Sequence, residues 1–344
     1  MDRGPAPRIP IWWMAFGYFA CYWPYSGLVR ATADGILPGL SGELKGLTLQ
    51  PLQVASSLVS MFLFITLIGW WKYPGRRSVL GARIPFPSLW TALSGVCTAL
   101  VIVTTNLAYT FSGVSIVFVM LLMRGGVLIL GPIVDALNRR RVRWFSATGM
   151  MLSLAALVVA FAEKGGYAIS ILCAIDVAVY LLAYFVRFQF MSRIAKSADA
   201  ARNVRYFVEE QMVATPFLVA LLALFALLGR GEMAEQVRAG FVGLPAGAIP
   251  YVVLAGIFSQ GTGIFGTLIF LDRRENTFCI PVNRSSSVLA GVFASFTLAL
   301  LFGMRVPSAY QLAGAALVIL AILVLSLPGV LAQRRRAPAA ASRS

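Results

Sequence analysis

The chain has 344 residues, of which 59% are hydrophobic and 12% charged, and its mean hydropathy is +0.82. A soluble domain is about 45–50% apolar and about 25% charged, so a chain of this composition cannot cover a water-facing surface and reads as an integral membrane protein. It carries 29 Lys and Arg against 13 Asp and Glu, a net +16, and no histidine; that excludes Ser–His and Cys–His catalysis, HExxH zinc sites and haem axial histidines.

A membrane helix needs about 20 mostly apolar residues. Ten such windows follow one another at 10–33, 52–72, 88–109, 112–134, 144–163, 167–192, 206–228, 247–271, 277–302 and 308–331. The first continues past Tyr25 without a small-residue cleavage motif, so it reads as a span. It holds Tyr18, Tyr22 and Tyr25, with Pro24 expected to kink it. The tyrosines either line a cavity or pack, with Trp12, Trp13 and Trp23 in an interfacial belt. Asn106 lies near the end of the third window. The fourth carries Arg124 about 12 residues in, or about 18 Å deep at about 1.5 Å per residue, close to mid-bilayer. Gly125 and Gly126 follow it and allow close helix approach.

In the sixth window, Asp176, Tyr180, Ala183 and Arg187 share one helical stripe. The seventh opens on Glu209 and Glu210. The eighth contains SQGTGIFG at 259–266, with Gln260 and Thr262 among glycines, and the ninth begins PVNRSSS, with Asn283 and Arg284 in a polar, helix-breaking start. The four cysteines (Cys21, Cys97, Cys173 and Cys279) form no CxxC pair and read as buried small hydrophobes. The four lysines all fall in loops or at helix ends, which excludes a Schiff-base lysine deep in a span.

Basic residues set orientation. With the first residue inside, 20 of the 29 fall in inside segments, six outside, and three (Arg124, Arg187 and Arg284) within spans. This alternation predicts ten spans with both termini cytoplasmic. It also makes most of the +16 a topology signal and not a nucleic-acid surface. Arg139–Arg143 and Arg334–Arg336 are expected to meet anionic headgroups. The ratio of 25 Arg to 4 Lys suits a GC-rich bacterial genome, hence a bacterial inner membrane.

Charges within a span cost roughly 2.5–3.5 kcal/mol each at a helix centre on insertion scales and are expected to face the interior with partners. Arg124 is a candidate anion ligand or one half of a structural pair, with Asp176 as its simplest partner. Arg284 is an anion ligand, an inner gate, or an arginine snorkelling to the headgroups. Asp176 is a coupling carboxylate or a structural counter-ion. Arg187 is a gate member or a snorkelling flank. Glu209 and Glu210 gate against Arg187, Arg205 or Arg284, or are helix-start carboxylates favoured by the dipole. Gln260, Thr262, Asn283, Tyr22 and Tyr180 are candidate substrate contacts.

The two halves echo each other. LAYTFSGVSIVFVMLLMRGG at 107–126 aligns with LIFLDRRENTFCIPVNRSSS at 268–287, and RVRWFSATGMMLSLAALVV at 141–159 with RVPSAYQLAGAALVILAIL at 305–323. Halves of five spans must be inverted, a transporter design with its site near the midplane. The first repeat is read over 1–143, span 5 over 144–163, the second repeat over 164–331, and a basic tail over 332–344.

With its Thr110–Gly113 turn, its VPSAYQLAGAALVILAILVLSLP ending at 306–328 and its RRRVRW stretch, the chain resembles the drug/metabolite transporter superfamily of the ten-span EamA type. It departs from that pattern where many members carry Gly-Glu: it has Leu137-Asn138 and Gly303-Met304 instead. The resemblance implies an all-α membrane protein of ten helices in two inverted five-helix repeats, and a span 8 that lines the central cavity. It names no substrate.

The function expected is secondary transport of a small anionic solute bearing phosphate or carboxylate, by alternating access, since buried arginines suit oxyanions. A flippase for a lipid-linked headgroup is the alternative, and a membrane-embedded transferase a more distant one, because the acids are scattered and form no DxxD pair. No catalytic residues, metal or cofactor are expected. The expected partners are the solute and membrane lipids, with a homodimer left open and no nucleic acid.

Overall fold

The computed structural model describes residues 10–40, 42–44, 46–79, 82–107, 116–161, 170–304 and 306–341. Among these residues it is a bundle of eleven α-helices: α1 (Ile11–Ala33), α2 (Gly46–Leu67), α3 (Leu89–Leu107), α4 (Ile116–Leu137), α5 (Trp144–Phe161), α6 (Ile171–Ile194), α7 (Ala200–Leu228), α8 (Glu232–Val242), α9 (Ile249–Leu271), α10 (Asn276–Phe302) and α11 (Ala309–Ala341). Six of them contain segments long and apolar enough to cross a membrane, and two shorter apolar helices cover Leu89–Thr105 and Trp144–Val159. The protein is an all-α integral membrane protein crossing the bilayer several times. The Thr110–Gly113 turn lies outside the described residues.

Three features depart from the sequence expectation. The segment expected as plain loop after the second window contains a small antiparallel hairpin, β1 (Arg76–Val79) with β2 (Ala82–Pro85), in the register Arg77↔Ile84. The second window was expected to run to residue 72, but α2 ends at Leu67, and Trp70–Lys72 forms a separate 3-10 turn after Gly69, whose φ is 71°. A left-handed residue ends an α-helix there, and glycine tolerates it without a Cβ clash. Between the seventh and eighth windows lies α8, too short to span. Its Gly240 face rests on α2, where a Cβ would sit 2.8 Å from Pro51. Its Arg238 donates to the carbonyls of Ala226 and Gly229. These are orphan acceptors of the end of α7, so α8 caps the helix before it.

The distribution of polarity is that of a protein in lipid. Large apolar side chains such as Trp13, Leu67, Leu89, Ile171, Leu227 and Leu300 are exposed on the outside. Gln53, Ser94, Asp135, Arg187, Glu210 and Asn283 are buried within. With hydrocarbon outside, interior polar groups hold helices together only when hydrogen-bonded.

The helix pairings are regular. Helix α1 packs on α9 and α10, and α6 packs on α3 and α4. Helix α2 packs on α9, and α7 on α3; α2 also meets α7, α4 meets α10, and α5 meets α11. Glycines permit two of the closest approaches. A Cβ on Gly95 of α3 would sit 2.8 Å from the Glu210 carbonyl of α7, and one on Gly256 of α9 would sit 2.5 Å from the Gln53 carbonyl of α2.

One end of the bundle holds the hairpin, the 139–143 turn and the α6–α7 and α9–α10 connections, and is tied by polar contacts. Asp135, fully buried near the end of α4, caps α10. Its Oδ1 accepts from the Asn276 amide (2.9 Å) and side chain (2.8 Å), and its Oδ2 from the Thr277 amide and hydroxyl, both at 2.7 Å. Glu275, just before α10, accepts from the Ser146 hydroxyl at 2.6 Å and from Arg143 at 3.1 Å. Burial pushes the Glu275 carboxyl up, but the Ser146 hydroxyl, a backbone amide and the Arg143 guanidinium outweigh it and hold it below the usual range. Glu209 of α7 accepts from the amides of Gly75 (2.9 Å) and Ser88 (3.2 Å), from the Thr91 hydroxyl (2.8 Å) and from Arg205 (2.7 Å). It binds the chain around the hairpin to the bundle.

Candidate functional site

A cavity of about 250 Å³ lies between eight helices: α1, α2, α3, α4, α6, α7, α9 and α10. Residues singled out in the sequence meet in its lining: Tyr18, Tyr22, Tyr25, Arg124, Tyr180, Arg187, Gln260, Thr262, Asn283 and Arg284, with Ser287 of the PVNRSSS motif. Asp176, Glu209 and Glu210 do not line it. Residues the sequence did not single out join them, among them Tyr184, Gln50, Gln53, Thr98 and Gln211. Tyr184 was legible as the next turn of the Tyr180 stripe, and the glutamines as polar groups in apolar helices.

Each helix supplies its side chains by ordinary periodicity. Tyr18 and Tyr22 stand one turn apart on α1 and stack at 5.6 Å, and Tyr180 and Tyr184 stand one turn apart on α6 with rings at 5.0 Å. The start of α6 is fixed by Ser170, whose hydroxyl accepts from the Cys173 amide. Helix α10 runs unbroken through Pro281, where a helix-breaking start was expected. Its Asn283 and Arg284 are presented from a regular helix that Asp135 anchors at its end.

The lining has three arginines and, among the described residues, no acidic side chain. Arg124 donates from Nη2 to the Tyr22 hydroxyl at 3.0 Å. Arg187 is buried, does not snorkel, and donates from Nε to Glu210 Oε1 and from Nη2 to Oε2, both at 2.9 Å. Its Nη2 also reaches the Thr267 hydroxyl at 3.0 Å. Behind it, Glu210 accepts from Ser94 (2.6 Å) and Thr98 (3.2 Å). Of the arginines proposed to face the two glutamates, Arg187 takes Glu210 and Arg205 takes Glu209.

Arg284 is arranged otherwise. It is 91% buried, and its guanidinium lies 5.2 Å from the Tyr184 ring centre. Its Nε and Nη2 have no hydrogen-bond partner. These two nitrogens share one edge of the guanidinium plane, the edge with which Arg187 holds its carboxylate. Arg284 therefore carries an unfilled two-point oxyanion fork at the cavity wall.

Asp176 is also buried, and neither of its oxygens accepts a hydrogen bond. The expected hydrogen-bonded pair with Arg124 is not formed. Tyr180 and Tyr184, one and two turns further along α6, take the lining positions. Among the described residues, no group of three or more Asp, Glu or Cys is placed to hold a metal ion.

No protein family matches the chain, and no curated protein matches it. A crystal structure of a protein is similar to it in fold, with a TM-score of 0.53 and 17% sequence identity over 91% of this chain and 98% of that chain. At that identity the likeness concerns the fold alone.

Proposed function

We propose that the protein is a secondary transporter of a small organic anion, working by alternating access on a ten-span scaffold of the drug/metabolite transporter type. The observation that carries this reading is the open guanidinium edge of Arg284 in a cavity among the helices whose lining, among the described residues, holds no acidic side chain. A buried guanidinium without a counter-charge is costly. An anionic solute removes that cost when it binds.

The helix pairings support two inverted halves. Exchanging α1 with α6, α2 with α7, α3 with α9 and α4 with α10 turns each main pairing into another that is present. The residues follow the exchange. A shift of 162 carries Tyr18, Tyr22 and Tyr25 onto Tyr180, Tyr184 and Arg187, and a shift of 157 carries Gln53 onto Glu210. A shift of 161 carries Gly95 and Thr98 onto Gly256 and Ser259. The two glycine approaches then coincide, since Gly95 meets the Glu210 carbonyl and Gly256 the Gln53 carbonyl. Under the positive-inside rule the end with the hairpin is cytoplasmic. Arg187–Glu210 closes the cavity toward that end. Its counterpart toward the other end is the weaker contact of Gln53 with the Tyr25 hydroxyl, at 3.5 Å. An ion pair against a long neutral contact favours a state open to the outside. Alternation consists of breaking the first contact while tightening the second.

Flux in proteoliposomes tests the reading. Purified protein should exchange a labelled small carboxylate or organic phosphate across the membrane, and Arg284→Ala should abolish exchange while the protein remains folded. Absence of flux for every anionic metabolite tried, with Arg284→Ala indistinguishable from wild type in anion-induced thermal shift, would overturn it.

A further inference from the structure

The uncharged polar groups of the cavity wall fall into two sets. The hydroxyls are engaged within the protein. Thr262 donates to the Ser259 carbonyl at 2.6 Å, Ser287 to the Arg284 carbonyl at 2.7 Å, and Thr98 to the Ser94 carbonyl at 3.0 Å. Thr267 accepts from Arg187. Three amides are not engaged: Gln211 of α7, Gln260 of α9 and Asn283 of α10 line the cavity, are buried, and have no side-chain hydrogen bond to the described residues. Buried polar side chains are normally bonded, so three open amides around one cavity bear on what it receives.

Glycines give two of these amides their room. A Cβ on Gly263 would come 3.3 Å from the Gln260 Nε2. One on Gly266 would come 3.3 Å from the Asn283 Nδ2 and 3.0 Å from the Tyr18 ring. Both glycines belong to the SQGTGIFG stretch of α9 and line the cavity.

The chemistry of an amide defines its complement. Each offers two N–H donors and a carbonyl acceptor, and a hydroxyl, with one donor and two acceptor lone pairs, matches either. An alkyl chain matches neither and leaves the amides unpaired. The lining holds no acidic side chain among the described residues, so an ammonium group on the solute finds no counter-charge in it. The acidic group is provided for by the open Nε and Nη2 edge of Arg284, the residue after Asn283. The rings of Tyr18 and Tyr22, stacked at 5.6 Å, offer a flat apolar face to the C–H side of the solute. The volume of about 250 Å³ lies below the roughly 300–1,000 Å³ of pockets for drug-sized ligands, which makes the solute compact.

We infer that the central site takes a compact, polyhydroxylated organic anion, with its acidic group on Arg284 and its hydroxyls on Gln211, Gln260 and Asn283. This rests on the reading of the cavity as an anion site and specifies the body of the ligand. A carboxylate and a phosphate ester share this chemistry.

The test measures binding to the full-length protein in detergent, by thermal-shift titration at constant ionic strength. The probes are gluconate and glycerol 3-phosphate, with hexanoate (charge without hydroxyls), glucose (hydroxyls without charge) and adenosine monophosphate (a planar base) beside them. The better of gluconate and glycerol 3-phosphate should bind about tenfold to a hundredfold more tightly than hexanoate and than glucose. That is the worth of two neutral hydrogen bonds in the first comparison and of one to a charged group in the second. Which of the two binds better tells a carboxylate from a phosphate ester. Asn283→Leu and Gln260→Leu should each weaken the better probe about threefold to tenfold and leave hexanoate unchanged. Arg284→Gln should weaken both. The comparison of probes on the wild-type protein stands whether or not these variants fold. Hexanoate matching both polyhydroxylated anions overturns the hydroxyl site and leaves an anion site. Adenosine monophosphate binding more tightly than either overturns it in favour of a planar base. Glucose matching them overturns the proposal at its charged end and counts against the anion reading. Binding of none of the five probes overturns both.

Discussion

Arg187 holds Glu210 by two parallel hydrogen bonds of 2.9 Å, with both side chains buried among α3, α6, α7 and α9. The pair is shared by the whole neighbourhood, because Ser94, Thr98 and Thr267 complete its hydrogen bonds. Breaking one partner leaves a buried charge uncompensated, which costs about 3–5 kcal/mol. Glu210→Gln is therefore expected to lower the thermal unfolding midpoint in detergent strongly. Replacing both partners by Leu and Met should recover most of that midpoint and not recover transport. A Glu210→Gln protein as stable as wild type would show that the pair does not hold these helices.

Gly95 and Gly256 make an independent pair of expectations. Each lies where a Cβ would overlap a carbonyl of the facing helix, and backbone does not yield as a flexible side chain does. Gly95→Val should separate α3 from α7, and Gly256→Val should separate α9 from α2. Overpacking costs about 1–3 kcal/mol and at times more. Both should show as reduced yield of folded protein in size-exclusion chromatography. A Gly291→Ala control, at a glycine with no atom within 4 Å of its Cβ, should behave as wild type.

Asp135 carries four hydrogen bonds at the start of α10. Asp135→Ala strands two amides, a hydroxyl and a side-chain amide in a buried site, at about 1–3 kcal/mol for each group left unsatisfied. Asp135→Asn keeps the shape but turns one acceptor into a donor facing donors, so it should recover little. Because α10 carries Arg284, both substitutions should also weaken anion binding at a distance. Binding isotherms of folded Asp135→Asn protein check this.

Glu275 predicts a pH dependence with a definite sign. Its carboxyl is held below the ordinary value of about 4.3. A group whose folded pKa is depressed gives stability above its unfolded value and loses it as pH falls through the folded one. The contribution of Glu275 should therefore be full above about pH 4.3 and decline below it. Glu275→Gln should be less stable than wild type at neutral pH, and the gap should close as the solution is acidified. Unfolding midpoints of both proteins between about pH 3 and 6 would show it. A gap that widens on acidification contradicts the Ser146 and Arg143 contacts as its source.

The membrane class, the approximate helix windows and the three intramembrane arginines were legible in the amino-acid order. The reason is physical: a lipid-facing helix must be apolar over its whole length, so an interruption such as Arg124 or Arg284 stands out. Other features were not so legible. The Trp70–Lys72 turn, the hairpin and α8 depend on local backbone preferences that hydropathy does not register. The choice among partners was beyond sequence altogether. Arg187, Arg205 and Arg284 were equal candidates for the glutamates, and Asp176 was the natural match for Arg124. Which side chains meet depends on how the helices pack on one another, so tertiary structure gave Arg187 to Glu210 and Arg205 to Glu209. It left Asp176 without a hydrogen bond and Arg284 with its fork open. The +16 that first described the chain marks its loops. The charge that matters for the proposed site is that of Arg284, which packing buried with its Nε and Nη2 unbonded.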